Sequence, residues 1–234
     1  MSSRLDPPLW LPTYAVRAPL ARWLADEARR AHADLGALRV LDVGCGHKPY
    51  FQLFAPYVSA YVGVDPSDVP EADLRGSAES LPLENGSQDV VLCVQVLEHA
   101  EDPALAVREL ARVTAPGGRV LASTHGVMVY HPSPGTDYWR WTAAGLERLF
   151  RENGDWASVR VTGASGTTAC LGMIASLYLD VLAQKAHVRR LVRPLVAGLN
   201  AAARAVDGRV PSLRDPFQPG SLIANYHVVA ERAR

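Results

Sequence analysis

The sequence predicts an α/β protein built on an open, doubly wound, mainly parallel sheet. Three observations carry that expectation. Short apolar runs alternate along the chain with segments of helical periodicity. The runs are apolar through their middles, as strands are when helices cover both faces of a sheet. Turn residues stop them, glycines after LRVLDV and Asp65-Pro66 after SAYVGV, as strand-to-loop turns require.

The elements follow in order. Residues 1–16, with Pro7, Pro8 and Pro12, read as an irregular N-terminal arm carrying Trp10 and Tyr14. Residues 17–32 read as a helix whose apolar face is Leu20, Leu24, Ala28 and Ala31. LRVLDVG (38–44), SAYVGVD (59–65) and QDVVLCVQV (88–96) read as strands. DPALAVRELARVT follows as a helix, with Asp102 as cap and Pro103 at its first position. Pro116-Gly117-Gly118 makes a turn into the strand RVLASTH (119–125). Thr142 caps a helix over 142–152, and WASVRVT (156–162) is a further strand. Residues 168–206 are helical by the spacing of Ile174, Leu177 and Val181 and of Leu191, Leu195 and Leu199, with a kink or split expected at Pro194. NYHVVAERA closes the chain as a last strand.

The totals exclude several classes. The 234 residues, 48% hydrophobic, suit one domain with a sizeable core. Lysine plus arginine and aspartate plus glutamate both number 24, so no basic excess points to nucleic acid. Cys45, Cys93 and Cys170 have neither metal-type nor disulfide-framework spacing. The N-terminus lacks the apolar run of a signal peptide. The apolar stretch near the C-terminus is interrupted by Asp180, Gln184 and Lys185, against a membrane span. The expectation is a soluble, cytoplasmic protein from a reducing compartment.

Ligands on doubly wound sheets bind outside the carboxyl ends of the strands. Gly44 and Gly46, after the first strand, let backbone approach a ligand closely. Asp65, 19 residues beyond Gly46, can accept hydrogen bonds from ribose hydroxyls. A nicotinamide dinucleotide fits poorly, because Pro49 stands where the third glycine belongs. Asp42 would also repel a pyrophosphate. A ligand with an ammonium and a sulfonium, such as S-adenosylmethionine, suits that carboxylate.

From about residue 38 to 125 the order DVGCG, GVD, SAESLPLENGSQDVVLCVQVLEHAEDP and ELARVTAPGGRVLAST resembles the class I S-adenosylmethionine-dependent methyltransferases, in particular the subgroup with a VLEH motif. The resemblance implies a Rossmann-like doubly wound sheet of seven strands, the last antiparallel. It implies cofactor contacts at Asp42, Gly44 and Gly46, ribose binding by Asp65, adenine against Ser77-Ala78-Glu79, and the methionine end near Gln95. Cys45 reads as a small filler, and His99 as a hydrogen-bonded residue at a helix start. The segments KPY after the glycine loop and HP-x-P-x-x-DYWRWT-x-x-GL resemble members tied to saccharide and cell-envelope synthesis.

The loop HGVMVYHPSPGTDYWRWT (125–142) leaves the cofactor edge of the fifth strand of that fold. Methyl transfer to a hydroxyl needs positioning and a base, and histidine titrates near neutrality. His125 and His131 are the candidates. Asp137 is a carboxylate suited to orient one of them, and Tyr138 a further catalytic candidate. Trp139 and Trp141 offer flat faces to a sugar ring or pack against the next helix. Arg140 reads as a partner for an acid or a helix end. His131 and Asp137 are too few to define a divalent-metal site.

Residues 168–210 form a helical insert before the last strand. Over residues 185–214, Lys185, Arg189, Arg190, Arg193, Arg204, Arg209 and Arg214 face a single acid, Asp207. This reads first as a solvated face, then as a lid or homodimer contact, then as a surface for anionic lipid or a phosphorylated acceptor. The whole chain, 1–234, reads as one methyltransferase domain acting on a hydroxyl of a small polar acceptor, a sugar or oligosaccharide first. The alternatives are O- or N-methylation of another natural product, and a non-catalytic module that binds the cofactor.

Overall fold

Strands from distant parts of the sequence meet in one mixed sheet in this computed structural model, which describes residues 4–130 and 136–234. The strands are β1 (Leu38–Val43), β2 (Val58–Asp65), β3 (Leu74–Arg75), β4 (Gln88–Val94), β5 (Thr114–His125), β6 (Trp156–Gly163) and β7 (Asn225–Arg232). Their order across the sheet is β3-β2-β1-β4-β5-β7-β6. Neighbouring pairs from β3 to β5 are parallel, and β7 runs antiparallel to both β5 and β6.

The helices are α1 (Tyr14–Leu35), α2 (Phe51–Phe54), α3 (Pro103–Val113), α4 (Ala143–Glu152), α5 (Thr167–Lys185) and α6 (Arg189–Arg209), with a 3₁₀ turn at Pro211–Arg214. They explain why the central strands are apolar throughout. Alternate residues point to opposite faces of a strand. Val91 and Cys93 enter the cluster with Val107, Leu110, Leu146 and Phe150 on the α3 and α4 side. Val90, Leu92 and Val94 enter the cluster with Leu20, Leu24 and Ala28 of α1. Each fully buried leucine contributes about 1.5–3 kcal/mol, so both faces hold the sheet.

Three boundaries differ from the sequence reading. β5 begins at Thr114 and takes in Pro116-Gly117-Gly118, expected as a turn, its register against β4 shifting between Gln88 and Val90. α1 begins at Tyr14 and runs through Pro19, because Tyr14, Ala15, Val16 and Ala18 are buried. Ala15 and Val16 pack in a third cluster with Cys170, Met173 and Ala203 of α5 and α6. The irregular arm is correspondingly shorter. The break expected at Pro194 falls instead at His187, whose φ is 58°. There Val188 N–H donates to Ala183 O at 2.8 Å and His187 N–H to Gln184 O at 3.1 Å, closing the end of α5. Pro194 lies within α6, the helix accommodating it in its second turn.

Asp102 caps α3 through Leu105 N–H and Thr142 caps α4 through Gly145 N–H, as the sequence indicates. Among the described helices α5 alone is long and apolar enough to cross a membrane by length and composition. One of its faces, Ala169, Cys170, Met173 and Ser176, is buried in the protein.

Candidate active site

The strand order reverses between β1 and β4, which places a crevice outside their carboxyl ends. Register brings the pieces level. Val43 pairs with both Val64 and Cys93, and Cys93 pairs with Ala122. The residues just beyond, Gly44, Asp65, Gln95 and Ser123, therefore share one edge of the sheet.

The loop after β1 turns sharply there. Gly44 has φ 66°, and a Cβ on it would stand 2.5 Å from Val96 Cγ2. Gly44 N–H and Cys45 N–H both donate to Val64 O, at 2.8 and 3.1 Å. Gly46 has φ 47°, and a Cβ on it would meet no described atom within 4 Å. It faces open space at the crevice. Gly46 N–H donates to Asp65 Oδ2 at 3.0 Å, and Ser67 N–H donates to Oδ1 at 2.9 Å. Asp65 thus fixes the glycine loop.

Asp42 is buried and accepts a hydrogen bond from the Tyr61 hydroxyl at 2.7 Å. Burial pushes its carboxyl up to about 6, against the pull of Tyr61 and Lys48, with Asp65 adding to the push. Two carboxylates at one glycine loop disfavour a diphosphate and suit a ligand with positive charge. The Lys48 ammonium does not neutralise them fully, since it lies 2.5 Å from Asp73 Oδ2. The neighbouring Cys45 thiol is pushed up to about 12 by burial and by Asp42 and Asp65. It is a buried neutral filler.

Gln95 follows β4 with φ 59°. Its N–H donates to Ser123 O at 2.7 Å, and its side-chain amide to Ser123 Oγ at 2.9 Å. Ser123 in turn donates to Asn225 Oδ1 at 2.7 Å. Ala78 is buried. Glu79 Oε1 accepts from Glu101 N–H at 2.9 Å, tying the segment after β3 to the one after β4.

His125 ends β5 and is buried. Its Nδ1 lies 3.5 Å from Glu98 Oε1. Glu98 is fully buried, and its Oε2 accepts from the Thr124 hydroxyl at 2.8 Å. Its carbonyl accepts from Tyr138 N–H at 2.9 Å and Trp139 N–H at 3.2 Å. Burial pushes the Glu98 carboxyl up to about 7, partly offset by its own backbone N–H and by Thr124. One residue therefore braces the strand and the far end of the loop, and its second carboxylate oxygen faces the histidine. Sequence reading assigned Glu98 only to a motif. An acid following an apolar strand and an apolar turn was the available signal.

The other described residues of the loop divide between structure and surface. Arg140 forks onto Asp137 at 2.5 and 2.7 Å and also donates to Met128 O and Val129 O. Asp137 is thereby engaged by a guanidinium. His99 Nδ1 is 2.5 Å from Thr136 O, in keeping with a structural role. Trp139 donates to Ala100 O at 2.7 Å and stacks on Trp141 with ring centroids 5.5 Å apart. Trp141 also packs on the core. Tyr138 is exposed. His131 lies outside the described residues. Among the described residues there is no cluster of three or more metal-ligating side chains.

Residues 41–122 match a protein-family model described as a methyltransferase domain. A "Ubiquinone biosynthesis O-methyltransferase" of Xanthomonas oryzae pv. oryzae is 37% identical over 109 residues, which cover 40% of this chain and 46% of that protein. The chain thus spans less than half the length of these curated relatives. Among solved structures, the YcgJ protein from Bacillus subtilis superposes with a TM-score of 0.54 at 20% identity, over 91% of this chain and 99% of that one. The 1,6-didemethyltoxoflavin-N1-methyltransferase of Burkholderia thailandensis, solved with S-adenosylhomocysteine, superposes with a TM-score of 0.56 at 14% identity, over 95% of this chain and 81% of that one. At such identities the superpositions speak for the fold. Over residues 41–122 the chain is therefore similar to methyltransferase domains, and S-adenosylmethionine is the cofactor which that match implies.

Proposed function

We propose that this protein transfers a methyl group to a hydroxyl of a small polar acceptor, with His125 as the base. The observation that carries the reading is the buried carboxylate of Glu98, 3.5 Å from His125 Nδ1 at the cofactor edge of β5. A carboxylate there orients the ring and stabilises it once protonated. Tyr138, exposed at the far end of the loop, is a residue for acceptor binding. His131 is the second histidine of the reading, and Asp137 its acidic neighbour in sequence.

Asp42, Gly44, Gly46, Asp65, Ala78, Glu79 and Gln95 are the residues that would hold the cofactor. The open side of Gly46 and the pair of carboxylates fit it. When bound, S-adenosylmethionine supplies an electrophilic methyl on a sulfonium and leaves as the neutral thioether. The chain's own part is to hold the acceptor oxygen in line, exclude water and receive the hydroxyl proton on the imidazole. The reading takes residues 1–234 as one domain, with α5 and α6 added ahead of the last strand.

A sugar or oligosaccharide is the acceptor of first choice, from the composition of the 125–142 loop. Another natural product is the second reading, its O-methylation favoured by the O-methyltransferase name carried by relatives, and phenols stand for that class in the test. The test is transfer of a labelled methyl group to parallel panels of saccharides and phenols, with cofactor binding measured on the same preparation. Transfer to saccharides supports the first reading and transfer to phenols the second. Cofactor binding without transfer to either would favour a non-catalytic module.

A further inference from the structure

The α5–α6 hairpin ends in a surface that the rest of the fold does not use. Leu171, Ala175, Tyr178 and Leu182 share one stripe of α5, opposite the buried face carrying Met173, Ser176 and Ala183. Leu191 and Leu195 make the matching stripe on α6, opposite the buried Val196, Asn200 and Ala203. These side chains are far from buried: Tyr178 is 62% exposed, Leu182 62% and Leu191 77%. Scattered exposed apolar residues need no explanation, but contiguous large ones on one tip do.

The same tip is basic. From Tyr178 to Leu195 the chain has Lys185, Arg189, Arg190 and Arg193 against the single acid Asp180, in a protein of zero net charge. Arg189, Arg190 and Arg193 line a groove of about 440 Å³ together with Trp10. Arg193 stacks over the Trp10 ring at 4.1 Å.

The base of the hairpin is fixed while the tip projects. Asp207 accepts from Thr168 N–H and Ala169 N–H at 3.1 and 3.0 Å, holding the start of α5. Asn200 donates to Leu9 O and Leu11 O, and Arg204 to the Tyr14 hydroxyl. The N-terminal segment therefore straps α6 through Asn200 and Arg204 and, by Trp10, through Arg193.

We propose that this tip docks on an anionic membrane surface. Leu182 and Leu191 enter the boundary between headgroups and acyl chains, and Lys185 and Arg190 meet the lipid phosphates, while Arg189 forks onto Asp180 at 2.9 and 2.6 Å. Apolar projection with a basic surround is complementary to such a surface. A self-interface lacks that complementarity, since two copies would bring like charges together. The inference is independent of methyl transfer.

Flotation of the full-length protein with phosphatidylcholine vesicles, with and without phosphatidylglycerol, tests it. The expected result is binding that requires phosphatidylglycerol and weakens with salt. Lys185→Gln with Arg190→Gln should lower the partition coefficient by about fivefold per residue. Leu182→Asp with Leu191→Asp should lower it by at least about tenfold. Both variants keep cofactor affinity, because these residues lie outside the site. No binding to either vesicle, equal binding to both, or indifference to the leucine variant would overturn the proposal. So would a dimer seen by light scattering that the leucine variant dissolves.

Discussion

Glu98 Oε1 lies 3.5 Å from His125 Nδ1, with both side chains buried at the crevice edge of β4 and β5. The same carboxylate takes the Thr124 hydroxyl, and the same residue's carbonyl holds the 125–142 loop. In the proposed reading, the residue that anchors Tyr138 and Trp139 also positions the histidine.

Replacement of Glu98 by Gln separates charge from shape. The wild-type carboxyl has a folded pKa raised from 4.5 to about 7. The folded state then holds more protons between those values. The group's stabilising contribution is complete below about pH 4.5 and is lost as pH rises to about 7, by up to about 3 kcal/mol. Glu98→Gln lacks that loss, so it should gain stability relative to wild type above about pH 7. Denaturant titrations at acidic and mildly alkaline pH read it. Turnover should fall by about tenfold or more while cofactor affinity holds. A variant with wild-type turnover would remove Glu98 from the positioning of His125.

Gly44 and Gly46 predict opposite balances of damage. Both have positive φ, so alanine costs roughly 1–2 kcal/mol of strain at each. Only Gly44→Ala also drives a Cβ to 2.5 Å from Val96, adding about 1–3 kcal/mol of overpacking. Gly46→Ala places its methyl in open space instead. It should keep most of its stability and lose about tenfold or more in cofactor affinity. Thermal melts and calorimetry on the two variants give the contrast; equal affinity for Gly46→Ala and wild type would place the cofactor elsewhere.

His227 gives a pH response of the other sign. It is buried, stacked on Trp23 at 4.3 Å, and burial lowers its pKa from 6.5 to about 3. The unfolded chain binds the extra proton between those values. The contribution is therefore present above about pH 6.5 and lost as pH falls towards 3. By about pH 5 the loss is about 2 kcal/mol. His227→Leu removes this dependence, and its stability relative to wild type should rise on acidification. A constant difference across the acid range would show that the ring is not held neutral.

The sheet was legible in the sequence because its strands are local patterns. Continuous apolar runs, the Asp102 and Thr142 caps and the glycine turns are written within a few residues of where they act. β3 escaped notice because it is Leu74–Arg75 alone, a two-residue edge strand whose side chains are exposed. The extra turn of α1 depends on burial against α5 and α6, which propensity does not encode. The proposed cofactor-site positions come from motifs, which carry no sign of their structural partners. Tyr61 reaches Asp42 from the next strand, and Gly46 finds Asp65 only when the sheet forms. Arg140 engages Asp137 from one turn along an irregular loop, where no periodicity announces the pairing.

The measurement closest to the central claim compares wild type with His125→Gln in S-adenosylmethionine binding and in single-turnover methyl transfer. The account predicts the same cofactor affinity in both and a loss of transfer of about 10²–10⁴ in the variant, the usual range for removing a general base. Wild-type protein that fails to bind S-adenosylmethionine, or a variant that transfers methyl at the wild-type rate, would contradict it.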